Sequence, residues 1–89
     1  MRAFLIEKSD TPGSPDFYDL ILANINKNII LANMPFFQQQ LAPGGVLLLS
    51  GLLGEDLEAI AQEATKNRLG ISVMWEKQNW ICLKLKKIE

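Results

Sequence analysis

Two stretches of near-continuous hydrophobicity, Tyr18–Asn24 and Val46–Ser50, bracket a segment where Ile30, Met34, Phe37 and Leu41 recur at helical spacing. An apolar run without polar alternation suits a strand buried on both faces of a parallel sheet. The pattern therefore predicts two such strands with a helix over 25–41 between them. Pro35 lies inside that helix. It has no backbone donor and clashes with the preceding turn, so a kink or restart is expected near Asn33-Met34. Pro43-Gly44-Gly45 then ends the helix and launches the second strand.

The clearest helix runs from Gly54 to Arg68, with Leu57, Ile60, Ala61 and Ala64 as its apolar stripe. Glu55, Asp56 and Glu58 in its first turn and Lys66 and Arg68 in its last match the helix dipole. Gly70 is the expected C-terminal stop. Ile71–Trp75 alternates, Glu76-Lys77-Gln78-Asn79 is a polar turn, and Trp80–Lys87 alternates again. Ile81, Leu83 and Leu85 share one face of this last run, and Lys84 and Lys86 the other. A short turn between two such runs predicts an antiparallel hairpin. Upstream, Ala3-Phe4-Leu5-Ile6 is long enough for one short strand, and Ser9–Asp16 reads as a loop. The order β–β–α–β–α–β–β predicts one α/β domain over 1–89, with a short strand and loop in 1–16 and the main fold in 17–89. Parallel strands joined by helices would end in an antiparallel hairpin.

Composition narrows the chemistry. The chain has 89 residues, 48% of them hydrophobic, enough for one small packed domain. Its net charge is -1, from 9 basic and 10 acidic residues, so no basic excess marks a nucleic-acid surface. There is no histidine, which removes His-based acid–base and nucleophilic catalysis and His-containing metal sites. No metal site is expected. The single cysteine, Cys82, has no intramolecular partner and suits a cytoplasmic chain. No apolar run approaches the ~20 residues that span a bilayer.

The Pro43-Gly44-Gly45 turn and the terminal hairpin resemble the Rossmann-like fold of class I S-adenosylmethionine-dependent methyltransferases. Ala23-Asn24-Ile25-Asn26-Lys27-Asn28 narrows the match. It is similar to the segment after the fourth strand in the methyltransferases of ribosomal large-subunit protein eleven (the PrmA type). Leu47-Leu48-Leu49-Ser50-Gly51, Pro35 and Trp80 resemble the same family, and the similarity covers about residues 17–86. The family's glycine-rich loop after its first strand is absent, and so is the acidic residue that grips the cofactor ribose. The resemblance thus implies a C-terminal portion of the catalytic domain, a partial methyltransferase sheet in which residues 2–6 correspond to the third strand. It further implies S-adenosylmethionine as cofactor and a ribosomal protein amine as substrate. The piece itself is expected to have little or no activity alone.

Asn24 ends a parallel strand, where ligands of open α/β sheets bind. Methyl transfer to an amine is mainly a matter of positioning. The resemblance makes Asn24 the catalytic, amine-holding residue and a cofactor contact; the alternative is that Asn24 or Asn26 merely caps the next helix. Ile25 would line the crevice or simply pack in the core. Asn28 would support substrate from the first helical turn or be a solvated residue. Ser50 and Gly51 would meet the cofactor, glycine allowing close backbone approach, or would serve the turn before Gly54. Asp19 starts its strand, far from the crevice, and reads as an exposed charge. Trp75 and Trp80 read as a packing pair across the hairpin, Cys82 as a small buried hydrophobe, and Lys84, Lys86 and Lys87 as a solvated face.

Two rival readings remain at this point. One is another amine or amide methyltransferase, which often carries Asn-Pro-Pro-aromatic where this chain has Asn24-Ile25-Asn26. The other is a non-enzymatic interaction module. In that case the strand at 18–24 would be an exposed edge, pairing either with residues 2–6 or with a second chain in self-association.

Overall fold

The computed structural model describes residues 3–7 and 18–88. Its elements are β1 (Ala3–Glu7), β2 (Tyr18–Asn24), α1 (Lys27–Gln40), β3 (Leu41–Leu53), a 3-10 turn (Gly54–Asp56), α2 (Leu57–Lys66), β4 (Leu69–Lys77) and β5 (Trp80–Lys87). The loop expected at Ser9–Asp16 lies outside the described residues. The strands form one sheet in the order β1-β2-β3-β5-β4. β1, β2 and β3 run parallel, and β5 is antiparallel to both its neighbours. This is the expected α/β sheet ending in an antiparallel hairpin. The edge of β2 is covered internally: Ala3–Glu7 pairs with it from Ala3↔Leu20 to Glu7↔Asn24.

One face of the sheet carries the core. Ile21 and Ala23 of β2, Leu47, Leu49 and Leu52 of β3, and Ile81, Leu83 and Leu85 of β5 are all buried. They pack with Ile30, Met34 and Phe37 of α1 and Ile60 and Ala64 of α2 in a single cluster. Both helices therefore lie on the same side. The alternate positions Leu20, Leu22, Val46, Leu48 and Ser50 are only partly buried. The expectation of strands buried on both faces is thus corrected to burial on one. A continuous apolar run shows that both faces tolerate burial, and burial itself depends on what else packs there.

Four details of the elements also differ. α1 is continuous through Pro35, with no restart. Met34 and Phe37, both fully buried, hold the helix to the sheet on either side of the proline, and that packing outweighs the one lost backbone bond. α2 begins at Leu57, after the 3-10 turn. The left-handed residue that ends it is Arg68, with φ 61, whereas Gly70 already belongs to β4. Finally, β3 reaches back to Leu41. Pairing with β2 jumps from Tyr18↔Leu41 to Leu20↔Val46, so the Pro43-Gly44-Gly45 segment loops out of the ladder. Gly44 turns the corner at φ 81.

Candidate functional site at the carboxyl ends of the parallel strands

Parallel register sets Glu7, Asn24 and Ser50 in one row across β1, β2 and β3. This row marks the carboxyl ends of the three strands. Side chains alternate along a strand, so Asn24 and Ser50 project from the face that α1 and α2 leave uncovered. Asn24 is exposed and Ser50 is partly buried. Asp19, five positions earlier on β2, stands about 16 Å away at 3.3 Å per residue.

Beyond the row the chain is pinned at several points. Asn26 caps α1, its Oδ1 accepting the Ile29 N–H at 3.0 Å. Asn24 is therefore not the cap. Ile25 is 5% exposed and belongs to the core cluster, so its side chain anchors the turn from below. Asn28 is exposed on the first turn of α1. Asn33 donates from Nδ2 to the Ile29 carbonyl at 2.8 Å, binding the first turns of the helix together.

The opposing loop follows β3. Leu49 pairs with Leu83 and Leu52 with Ile81, so Ser50 and Gly51 together face Cys82 alone. This is a β-bulge with Gly51 in the left-handed region, φ 77. The extra residue lets Leu49 and Leu52 both point into the core. It also turns Gly51 toward β2: a Cβ on this glycine would stand 2.6 Å from Asn24 Oδ1. Asp56 then ties the loop down. Its Oδ2 accepts the Leu53 N–H at 3.0 Å, and its Oδ1 lies 3.9 Å from Lys27 Nζ at the start of α1. The Gly54 N–H donates to the Asn79 carbonyl at 2.9 Å, linking the loop to the β4–β5 turn. The sequence placed Asp56 in the first turn of its helix, Lys27 in the family-like segment and Asn79 in the polar turn, but not these contacts. Only the acidic residue three positions after Leu53 hinted at one of these contacts, through the spacing of a helix cap.

Trp75 pairs with Cys82 and Lys77 with Trp80, so the two tryptophans are diagonal neighbours on the uncovered face. They are 49% and 56% exposed. Cys82, opposite Trp75, is partly buried. Two concavities lie away from this row, one along α2 and one between Pro35, Gln38, Gln39 and Lys66–Arg68. The second of these sits at the helix C-termini, the opposite end of the molecule from Asn24. Among the described residues no cluster of His, Cys, Asp or Glu is arranged to hold a metal ion. No described helix is long and apolar enough to cross a membrane.

The family model for ribosomal protein L11 methyltransferase (PrmA) matches residues 3–88. Among curated proteins, the chain is 40% identical over 67 residues to the ribosomal protein L11 methyltransferase of Porphyromonas gingivalis, which covers 75% of this chain and 23% of that one. It is 33% identical over 70 residues to the enzyme of the same name from Dictyoglomus thermophilum, covering 79% and 23%. Among solved structures, the ribosomal protein L11 methylase of Lactobacillus delbrueckii subsp. bulgaricus superposes with a TM-score of 0.80 at 28% identity, covering 83% of this chain and 38% of that one. A putative methyltransferase from Thermoplasma acidophilum shares the fold, with a TM-score of 0.69 at 11% identity and coverage of 85% and 41%. The chain thus spans about a quarter of the length of the curated relatives it matches. The sheet is the Rossmann-like methyltransferase sheet in its parallel strands and terminal hairpin, and this chain belongs to the ribosomal protein L11 methyltransferase (PrmA) family.

Proposed function

We propose that this chain forms one wall of the methyl-transfer crevice of an S-adenosylmethionine-dependent protein methyltransferase acting on an amine of a ribosomal protein, with little or no activity by itself. The observation that carries this reading is the row of Asn24 and Ser50 at the carboxyl ends of β2 and β3, on the open face, in a chain of this family. Open α/β sheets bind ligands at that place. A cytoplasmic location goes with the reading.

The side chains at the row suit both reactants chemically. A carboxamide and a hydroxyl are neutral, and the adjacent cation, Lys27, is paired with Asp56. Neutral oxygen acceptors attract a sulfonium and an amine without the repulsion a lysine or arginine would add. S-adenosylmethionine, when bound, supplies an electrophilic methyl group. Asn24 would hold the amine: its Oδ1 accepts one N–H and leaves the lone pair free to aim at that methyl. An asparagine does not titrate, so it acts by orientation, and the amine's proton leaves to water. Ser50 would border the cofactor on the β3 side, and Asn28 would meet the substrate from α1. Ile25 contributes by holding the turn, as its burial implies.

The test is a graft. The matched 67 residues replace their counterpart in the Porphyromonas gingivalis enzyme, and methyl transfer to ribosomal protein L11 is measured with radiolabelled S-adenosylmethionine. The graft is expected to be active, and Asn24→Ala to lower its kcat about 100-fold, the scale of a misplaced reacting group. A graft that folds, binds the ribosomal protein and transfers nothing overturns the reading. An Asn24→Ala graft at the parental rate overturns the role of Asn24.

A further inference from the structure

Asn24 is exposed, and among the described residues no hydrogen bond restrains its carboxamide. Positioning a reacting amine nevertheless needs a fixed oxygen. The group that stands beside it is the backbone of the opposing loop. The α-hydrogen of Gly51 that a Cβ would replace points at Asn24 Oδ1, since that Cβ would lie 2.6 Å from the oxygen and 3.8 Å from Cγ. The contact is a Cα–H to oxygen approach with no room for a methyl group.

This shelf is itself rigid. The bulge opposite Cys82 is closed on both sides by the fully buried Leu49 and Leu52. Two residues on, Leu53 is bound to Asp56, and Gly54 to Asn79. Gly51 is thus held from both sides along β3, and the Asn24 carboxamide is the group with room to turn. A side chain at position 51 would displace a flexible carboxamide and leave the core in place.

We propose that Gly51 is a positioning residue: its bare α-carbon forms the shelf that keeps the Asn24 carboxamide oxygen aimed into the crevice. This deepens the function proposed above and rests on Asn24 orienting the amine. It assigns Gly51 a role through Asn24, distinct from the direct cofactor contact expected from the sequence.

The first experiment uses the 89-residue chain, isotopically labelled and without substitution. NMR couplings about the Asn24 side chain are expected to report one χ1 rotamer, with a nuclear Overhauser effect between Gly51 Hα and the Asn24 carboxamide protons. Couplings averaged over several rotamers overturn the proposal and need no variant to fold. The second experiment uses Gly51→Asn, because asparagine tolerates the left-handed region yet carries a Cβ. The Asn24 carboxamide resonances are expected to move, while the amides of Leu49 and Leu52 stay in place. In the graft, Gly51→Asn is expected to lower kcat about tenfold with the KM for S-adenosylmethionine within twofold, and to cause no further loss in an Asn24→Ala background. A raised KM that persists in the Asn24→Ala background makes Gly51 a cofactor contact and overturns the shelf. An Asn24→Ala graft with full activity would defeat the parent reading alone, because the rotamer measurement stands apart from catalysis.

Discussion

Leu48 and Leu49 are consecutive on β3 and face opposite sides of the sheet. Leu49 is fully buried under the helices, and Leu48 is partly buried on the open face. Truncating each to alanine measures how well each face is covered. Leu49→Ala removes a fully buried side chain of the core cluster, across the ladder from Leu83. It loses transfer energy and leaves a closed cavity, together about 3.5 kcal/mol. Leu48→Ala loses only part of the ~1.5–3 kcal/mol of full leucine burial and leaves no enclosed void, so about 1 kcal/mol is expected. A chain of 89 residues has a total stability of roughly 4–13 kcal/mol. Leu49→Ala therefore removes a large share of it and Leu48→Ala a small one. At roughly 4–8 °C per kcal/mol for a domain this size, the melting temperature should fall about 14–28 °C for Leu49→Ala and about 4–8 °C for Leu48→Ala. In urea, with a slope of about 1 kcal/mol per molar, the two midpoints should differ by about 2.5 M. Sedimentation run alongside keeps the comparison to monomers. Equal losses in a monomer would show that the face bearing Leu20, Leu22, Val46 and Leu48 is as tightly packed as the helix face, and would refute the one-sided core. Equal losses only at high protein concentration would place a second molecule on that face.

Other expectations follow from local geometry. Asn26→Ala removes the acceptor for the Ile29 N–H and should cost about 1 kcal/mol in denaturant unfolding, while Asn26→Ser should recover most of it. Asp56→Ala should cost about 1 kcal/mol through the Leu53 N–H; Asp56→Asn should cost under about 0.5 kcal/mol, because the amide oxygen still accepts and the partly exposed pair with Lys27, at 3.9 Å, is weak. Arg68→Gly relieves a left-handed residue at φ 61 and should raise the melting temperature by roughly 4–8 °C, equivalent to about 1 kcal/mol. Each has a thermal or urea melt as its measurement, and a sign opposite to that stated would show that the local contact is misassigned.

The patterning of the chain foretold the last strand, Trp80–Lys87, to the residue. Its alternation is local information, and its inward leucines and isoleucine follow from it directly. The helical stripe through Ile30, Met34 and Phe37 was equally legible. What the chain alone did not reveal depends on other segments. Leu20, Leu22, Val46 and Leu48 are as apolar as the buried positions between them, so nothing local says that the described helices cover only one face. Gly70 obeys the usual rule for a helix stop, but the ladder with Lys86 already claims it, so Arg68 takes the left-handed corner. At the site, Asn24 was visible because strand order places it at a carboxyl end and because its neighbours resemble a family. The contact of Gly51 with Asn24 was not visible. It needs a bulge on β3, a register on β2 and a third strand opposite, none of which the sequence spacing encodes.

The position of β5 has a consequence for the making of the protein. β4 is hydrogen-bonded to β5 alone, and β5 fills the gap between β4 and β3. A nascent chain that has emerged only as far as Asn79 therefore holds β4 with no neighbour and β3 with a bare flank. The right half of the sheet closes in one late step, once Trp80–Lys87 has cleared the exit tunnel and threaded between two strands already synthesised. Stalling translation shortly before and shortly after that point should separate a protease-sensitive ribosome-bound chain from a resistant one.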